Sequence, residues 1–471
     1  MGFLENLKLK QNGIKKSVEE VDNQIAETPS MTPQLVMMND AVNICAIACS
    51  ACWDVKIPDG YEERSHYVGR RSKTGHTSVI EHANVVFYMY IPVERLPDLM
   101  EILDLKQYVR TCVKQSEKLP GYHVLVGGSW RAFSDLYLNC EDIYTNTVLT
   151  TLTKAVFQYI PSDGMKDLID MGIFQEEDFV NLYDNTLANM FCLSSNERVD
   201  PDIGILNCDD IYQMIAKISE VCPEPWLFTV KDLLKFVTVT IEFNHMSRII
   251  TQQLTRHRNA ITQESQRYVD YSGAPFNSPA LFKPEKYNPK RLYEFKFGGN
   301  TYKMNLQAIG DAINGIYPQL KDKTKYNDQA LVSEDARGYL ANNTQCGRLF
   351  MTFTYYSLIK FLQLREDSHA QAEIRSYATR IGEWFRSRVM SGGPVGDNKA
   401  LYRALEPKMI MADDNPFKIP IVTKPEGDST VVVMDAEKNE VVEGMTDEEY
   451  AKIYEQSIQQ QDAEEATKEE Q

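Results

Sequence analysis

Residues 245–271 read HMSRIITQQLTRHRNAITQESQRYVDY, and this stretch narrows what the chain can fold into and do more than any other. Helical spacing puts Arg248, Gln252 and Gln253 on roughly one face. The run then delivers Arg256, His257 and Arg258 in a row, with Ser265 and Arg267 a few residues on. Three adjacent cationic or protonatable side chains have two readings. They form a solvated basic loop, or they face a site that holds an anion, where Arg supplies a planar fork and Ser265 a neutral donor.

Two further clusters bear on that choice. Residues 364–375 read LREDSHAQAEIR, and Ile359, Leu362, Ile374, Ala378, Ile381 and Phe385 keep helical spacing around them. The pattern predicts one helix with Arg365 and His369, four apart, on a shared face. Residues 75–82, GHTSVIEH, precede a strand-like run from Val85 to Ile91 that is rich in β-branched and aromatic residues. Ser78 and Glu81 fit a capping box. His76 and His82 flank the acid, but with no HExxH and seven histidines in all, a metal site is not expected.

Together these blocks resemble the flavin-dependent thymidylate synthases. The family carries GH-x-S/T-x-x-EH, then Q-x-x-RHR and S-x-RY, an AR-x-x-L segment, and LR-x-x-x-x-AQ-x-E-I. This chain has GHTSVIEH, QLTRHR, SQRY, ARGYL (336–340) and LREDSHAQAEIR in the same order, and the likeness covers about 40–92 and 241–390. The resemblance implies conversion of dUMP to dTMP, with methylenetetrahydrofolate as carbon donor and FAD, recharged by NADPH, as hydride source. Position by position, it implies that Arg256, His257 and Arg258 hold the flavin, with Ser78, His76 and Glu264 beside it. It assigns Gln253, Arg256, Ser265, Gln266, Arg267 and Arg337 to dUMP, chiefly its phosphate. Arg365 is the implied catalytic residue, set on the uracil edge where it favours developing negative charge. No cysteine nucleophile is implied, and the Pro-Cys dipeptide of the cysteine-dependent synthases is missing; Cys222-Pro223 has the reverse order.

The chain also departs from the pattern. Six residues, Asn259–Glu264, separate RHR from Ser265 where the family has seven, so Gln263 and Glu264 compete for one acidic position. Thr354, Tyr356 and Lys360 replace residues near the flavin, and Ala341 replaces a proline. Two other products of the same sequence remain open: a relative giving a 5-hydroxymethyl pyrimidine nucleotide, and a non-catalytic nucleotide-binding protein.

At 471 residues the chain can bury a large core, and 43% hydrophobic and 25% charged residues suit a globular protein. No apolar run reaches membrane-spanning length and the start lacks a signal-peptide core, so a cytoplasmic protein without a membrane partner is expected. The net charge of −17 is concentrated after Glu426, leaving the body far from basic, so nucleic acid is not an expected partner. The expected layout is a leader (1–40), a first core half (41–92), an inserted, mainly helical subdomain (93–240), a second core half (241–420) and an acidic, disordered tail (421–471). Within the tail 446–459 has amphipathic helical spacing. Helical patterns at Leu96–Leu105, Ile143–Tyr159 and Ile211–Val221 underlie the reading of the insertion, with Gly127-Gly128 as a turn. A smaller insertion, Pro275–Tyr302, suggests a loop with a hairpin at Phe297-Gly298-Gly299-Asn300. Cys45, Cys49 and Cys52 have iron–sulfur spacing, yet they lie in a small-residue helical run that favours packing. The fold class is therefore α/β (α+β), a mixed sheet flanked by long helices, and the resemblance implies a homotetramer.

Overall fold

The computed structural model describes residues 31–73, 76–104, 109–139, 151–152, 155, 192–194, 196–390, 432–434 and 441–443. The first sheet holds β1 (Gln34–Met38), β2 (Asn84–Pro92), β3 (Arg110–Gln115) and β4 (Gly121–Ser129) in the order β1-β2-β4-β3. The second holds β5 (Cys192–Ser194), β6 (Glu197–Asp200), β7 (Ile203–Asp209), β8 (Thr238–Phe243), β9 (Ala260–Gln263) and β12 (Leu349–Thr354), in the order β5-β7-β8-β12-β9, with β6 also on β7. The sequence NVVFYMYIP explains β2: almost every position is buried, as in a strand paired on both edges and covered on both faces. One hydrophobic core joins the sheets, and the Asn84 amide donates across them to the Phe236 carbonyl at 2.9 Å.

The α+β class is what the helices and sheets show. Two details of the expectation differ. Each strand pairing among the described residues is antiparallel, so the sheets are not mixed; short returns such as residues 116–120 between β3 and β4 need no crossover. The described part of 93–240 also carries strand beside helix. It gives β3 and β4 to one sheet and β5, β6 and β7 to the other, alongside helices Leu96–Asp104, Trp130–Asn139 and Ile211–Val221. Gly127-Gly128 is no turn but strand interior in β4. A Cβ on Gly127 would lie 2.8 Å from the Phe236 ring and 3.0 Å from Val86, so glycine serves close packing there.

The predicted hairpin is present as β10 (Tyr293–Phe297) and β11 (Asn300–Met304), with Gly298 and Gly299 at φ 56° and 82°, a left-handed pair that glycine adopts without strain. Most of Ile143–Tyr159 lies outside the described residues. So do residues 1–30 of the leader, whose remaining residues give β1 to the first sheet, and the acidic tail apart from Val432–Met434 and Val441–Glu443, which pair as β13 and β14. Among the described residues no helix is long and apolar enough to cross a membrane.

Cys45 and Cys49 are fully buried in helix Ala41–Trp53, and Cys52 is half-buried with its Sγ 3.7 Å from the Gln263 carbonyl. Burial pushes the Cys49 thiol up to about 12 and Cys52 to about 11, so as free side chains they stay protonated and pack as small apolar groups. Replacing all three by Ala is expected to leave activity intact and to lower stability by about 1–3 kcal/mol through lost packing. Denaturant unfolding beside an activity assay checks this; acid-labile sulfide in anaerobically purified protein, lost in the triple variant, would contradict it.

Candidate active site

Two helices bring the motif blocks together. Helix Arg248–Leu254 buries Ile250, Thr251 and Leu254, and a 3-10 turn over Thr255–His257 follows it. Its start is fixed from the other block: Ser247 donates both its backbone N–H and its Oγ to the buried Glu373 carboxylate, at 2.7 Å each, and the Asn277 amide adds a third bond at 2.9 Å. Glu373 is the acid of AQAEI, and its anchoring role was not drawn from the sequence; its fixed place in the motif was the available signal. Burial raises its pKa despite these donors.

The second helix, Tyr355–Arg365, leaves β12 through Thr354, whose Oγ1 accepts from the Ser357 N–H at 3.1 Å. Burial of Tyr355, Leu358, Ile359, Phe361 and Leu362 fixes its roll and leaves Arg365 in the last turn, where helix carbonyls favour a cation. Arg365 Nε–H donates to His257 Nε2 at 3.2 Å, joining residues 108 positions apart. The His257 ring also meets Phe361 edge-on at 5.2 Å. Burial, and then the Arg365 charge, depress His257 to about 4, so near neutrality it is an acceptor. Burial and the neighbouring Arg256 lower the Arg365 pKa as well.

The predicted Arg365–His369 face does not form. The first helix ends at Arg365 and a second, Ala372–Met390, starts after a break. Asp367 Oδ1 takes the His369 N–H at 2.7 Å, a local turn that competes with helix, and the His369 side chain is 94% exposed. Arg365 thus closes one helix instead of opening the next. The expected capping box is absent too: Thr77–His82 is a 3-10 helix with no side-chain cap, and Glu81 pairs with Arg131 instead. Ser78 is exposed, and His76 packs edge-on against Trp53 at 4.5 Å. Among the described residues no hydrogen bond links either to Arg256, His257 or Arg258. His82 is fully buried between the Thr352 and Thr262 hydroxyls at 2.8 and 2.9 Å.

The remaining candidates lie close by. Gln253 donates to Gln371 of the AQ motif. The Ser265 N–H donates to the Cys52 carbonyl at 3.2 Å, and Gln266 is buried. Arg267 pairs with Glu334 at 3.0 Å, tying SQRY to the short helix Ser333–Ala336 that leads into the half-buried Arg337. Glu264 packs toward Gly347, its pKa raised by burial, while Gln263 Nε2 is buried without a partner among the described residues. Arg256 and Arg258 are exposed, and Arg258 has a left-handed backbone at φ 52°, uncommon for a side chain of its size. Lys360 covers the Tyr356 ring at 4.5 Å.

Beside this run opens a cavity of about 430 Å³. Among its lining residues are Arg258, Asn259, Thr352 and Thr354, then Glu81 and Asn84, and then Arg110, Ser129, Arg131 and Asp135. The last four come from the inserted segment. Sequence reasoning gave none of the four a role at a site, because no motif marks them.

Residues 227–389 match the family model described as thymidylate synthase complementing protein. The chain is 29% identical over 142 residues to the flavin-dependent thymidylate synthase of Kosmotoga olearia, covering 30% of this chain and 59% of the relative. It is 28% identical over 146 residues to that of Nitratidesulfovibrio vulgaris, covering 31% and 54%. A crystal structure of thymidylate synthase X from Helicobacter pylori with FAD and dUMP aligns over 32% of this chain and 69% of that one, at 17% identity and a TM-score of 0.24, too slight a likeness to bear on the site. The chain spans a little over half the length of the curated relatives it matches. Through residues 227–389, this chain is similar to the thymidylate synthase complementing protein family.

Proposed function

We propose that this protein is an enzyme that methylates dUMP to dTMP, with methylenetetrahydrofolate as carbon donor, FAD as cofactor and NADPH as reductant. The observation that carries the reading is the contact of Arg365 with His257, which joins the two motif blocks around Arg256. Support also comes from the relatives, which are named as flavin-dependent thymidylate synthases. The donor set fits a flavin: Arg256 and Arg258 have no carboxylate partner among the described residues, and carbonyl and phosphate oxygens accept such donors. When bound, FAD would supply the hydride that reduces the transferred one-carbon unit to a methyl group.

The protein's part is positioning and charge. His257, neutral and hydrogen-bonded, holds the Arg365 guanidinium in one orientation. Arg365 then favours negative charge on the uracil carbonyl edge as C5 becomes nucleophilic. Ser265 and Gln266 bind the nucleotide, and Arg267 and Arg337 its phosphate, for which Arg267 exchanges Glu334 for the ligand. Gln253 orients the nucleotide from the helix next to them. His76, Ser78 and Glu264 border the flavin in this reading. By family resemblance the working unit is a homotetramer.

Arg258→Ala is expected to weaken FAD retention by about 1.5–3 kcal/mol, the scale of one charge-assisted contact. Flavin affinity measured by fluorescence titration checks this, and an affinity equal to the parent's would remove Arg258 from the flavin site.

A further inference from the structure

The cavity beside Arg258 has a wall that the family motifs do not account for. Its charges are unevenly matched. Arg131 is neutralised twice, by Glu81 and by Asp135, the latter at 3.3 Å. Arg110 and Arg258 have no carboxylate in ion-pair contact among the described residues; Arg110 donates to the neutral Asn84 amide, and Asp209 acts on it only through its field.

The donors are unmatched as well. Arg110 Nε and Asn259 Nδ2 are buried with no acceptor among the described residues, although both residues line the cavity. Arg110 lies in β3 and Asn259 just before β9, so two separate parts of the fold contribute the same deficit. Nearby hydroxyls do not supply it. Thr354 Oγ1 accepts from a backbone N–H, Thr352 is shared between His82 and Thr240, and Thr238 Oγ1 donates to Asp209. Ser129 Oγ accepts from the Ala132 N–H at 3.1 Å, which leaves its O–H available as one more donor. A cavity with surplus donors and surplus positive charge suits a group that only accepts, namely an oxyanion. A small shift of the Arg110 and Asn259 side chains onto such a group would remove the cost of leaving buried donors unmade.

The geometry points to an oxyanion subsite built jointly by the inserted segment and the run after RHR, with Arg110 and Asn259 as its donors and Arg258 completing the charge. Its ligand is the phosphate or carboxylate arm of a small molecule. Arg131, held by Glu81 and Asp135, is a positioning residue that fixes the wall. The inserted segment is therefore part of a ligand site and not a remote appendage. Arg258 is shared with the proposed flavin site, whereas Arg110 and Asn259 are not, so the test is made on those two residues.

The test titrates the purified full-length protein by calorimetry with inorganic pyrophosphate and, in a second arm, with tricarballylate. The variants are Arg110→Gln and Asn259→Leu, each checked for an unchanged unfolding midpoint. The expected result is saturable binding of at least one probe, weakened roughly tenfold or more in both variants, which corresponds to the loss of one charge-assisted or buried contact. Pyrophosphate binding identifies a phosphate arm, and binding of tricarballylate alone a carboxylate arm. If Arg110→Gln does not fold, Asn259→Leu decides, because it removes a donor without removing a charge. No binding of either probe to the parent, or binding of equal strength in parent and variants, would overturn the subsite.

Discussion

Arg365→Ala is expected to lower turnover on the order of 10²-fold or more, with flavin still bound, because Arg256 and Arg258 are untouched. The magnitude is that of losing one preorganised donor aimed at charge that grows in the transition state. Lys should rescue only in part, since it keeps the charge but cannot both donate to His257 as the Arg365 Nε–H does and present a planar fork to a carbonyl edge. A second readout separates this role from a structural one. His257 is held near 4 first by burial and then by the Arg365 charge, so removing Arg365 should raise its pKa but leave it below 6.5. Turnover at saturating nucleotide, flavin occupancy and an NMR titration of His257 together give the answer. Turnover within about threefold of the parent, a barrier change under 1 kcal/mol, would make Arg365 a helix-end cation and nothing more.

The other large effect belongs to His82. It is fully buried, bonded through both ring nitrogens to Thr352 and Thr262, and burial depresses its pKa from 6.5 to about 3. The unfolded chain therefore binds a proton below pH 6.5 that the folded protein refuses until about pH 3. Stability must fall as pH drops through that window, by a total on the order of 3–5 kcal/mol from this residue. The loss matters for the site, because Thr352 lines the cavity and continues into the helix that carries Arg365. His123, buried against Glu224, and His257 are depressed too and act in the same direction, so the His82 share must be read as a difference. His82→Gln should be less stable at pH 7.5 yet lose clearly less stability than the parent between pH 7 and 5. Parallel stability–pH curves for the two proteins would show that His82 is not buried and neutral as described.

How much of this the sequence held differs from residue to residue. The helix before RHR, the strand after EH and the glycine hairpin were legible because each rests on local rules: helical spacing, β-branched alternation and left-handed turn residues. The break between Arg365 and Ala372 was not, since apolar spacing carries on across it and only the turn at Asp367 interrupts the backbone. Gly127-Gly128 misled for a different reason. The ring that makes glycine necessary there, Phe236, is remote in sequence, so the local reading was a turn. The motif blocks named the candidate residues, yet the Glu373 anchor, the His257–Arg365 bond and the cavity wall from Arg110 and Arg131 depend on long-range packing. An inserted segment whose strands complete both sheets cannot be recognised as such from its own helical patterns.

The central claim is the reaction, and product mass tests it most directly. The purified protein, loaded with FAD, is incubated with dUMP, methylenetetrahydrofolate and NADPH, and the nucleotide is recovered and weighed by mass spectrometry. The account predicts dTMP, absent when any one of the three reactants is left out. Recovery of unchanged dUMP from flavin-loaded protein, or of a 5-hydroxymethylated nucleotide in place of dTMP, would contradict it.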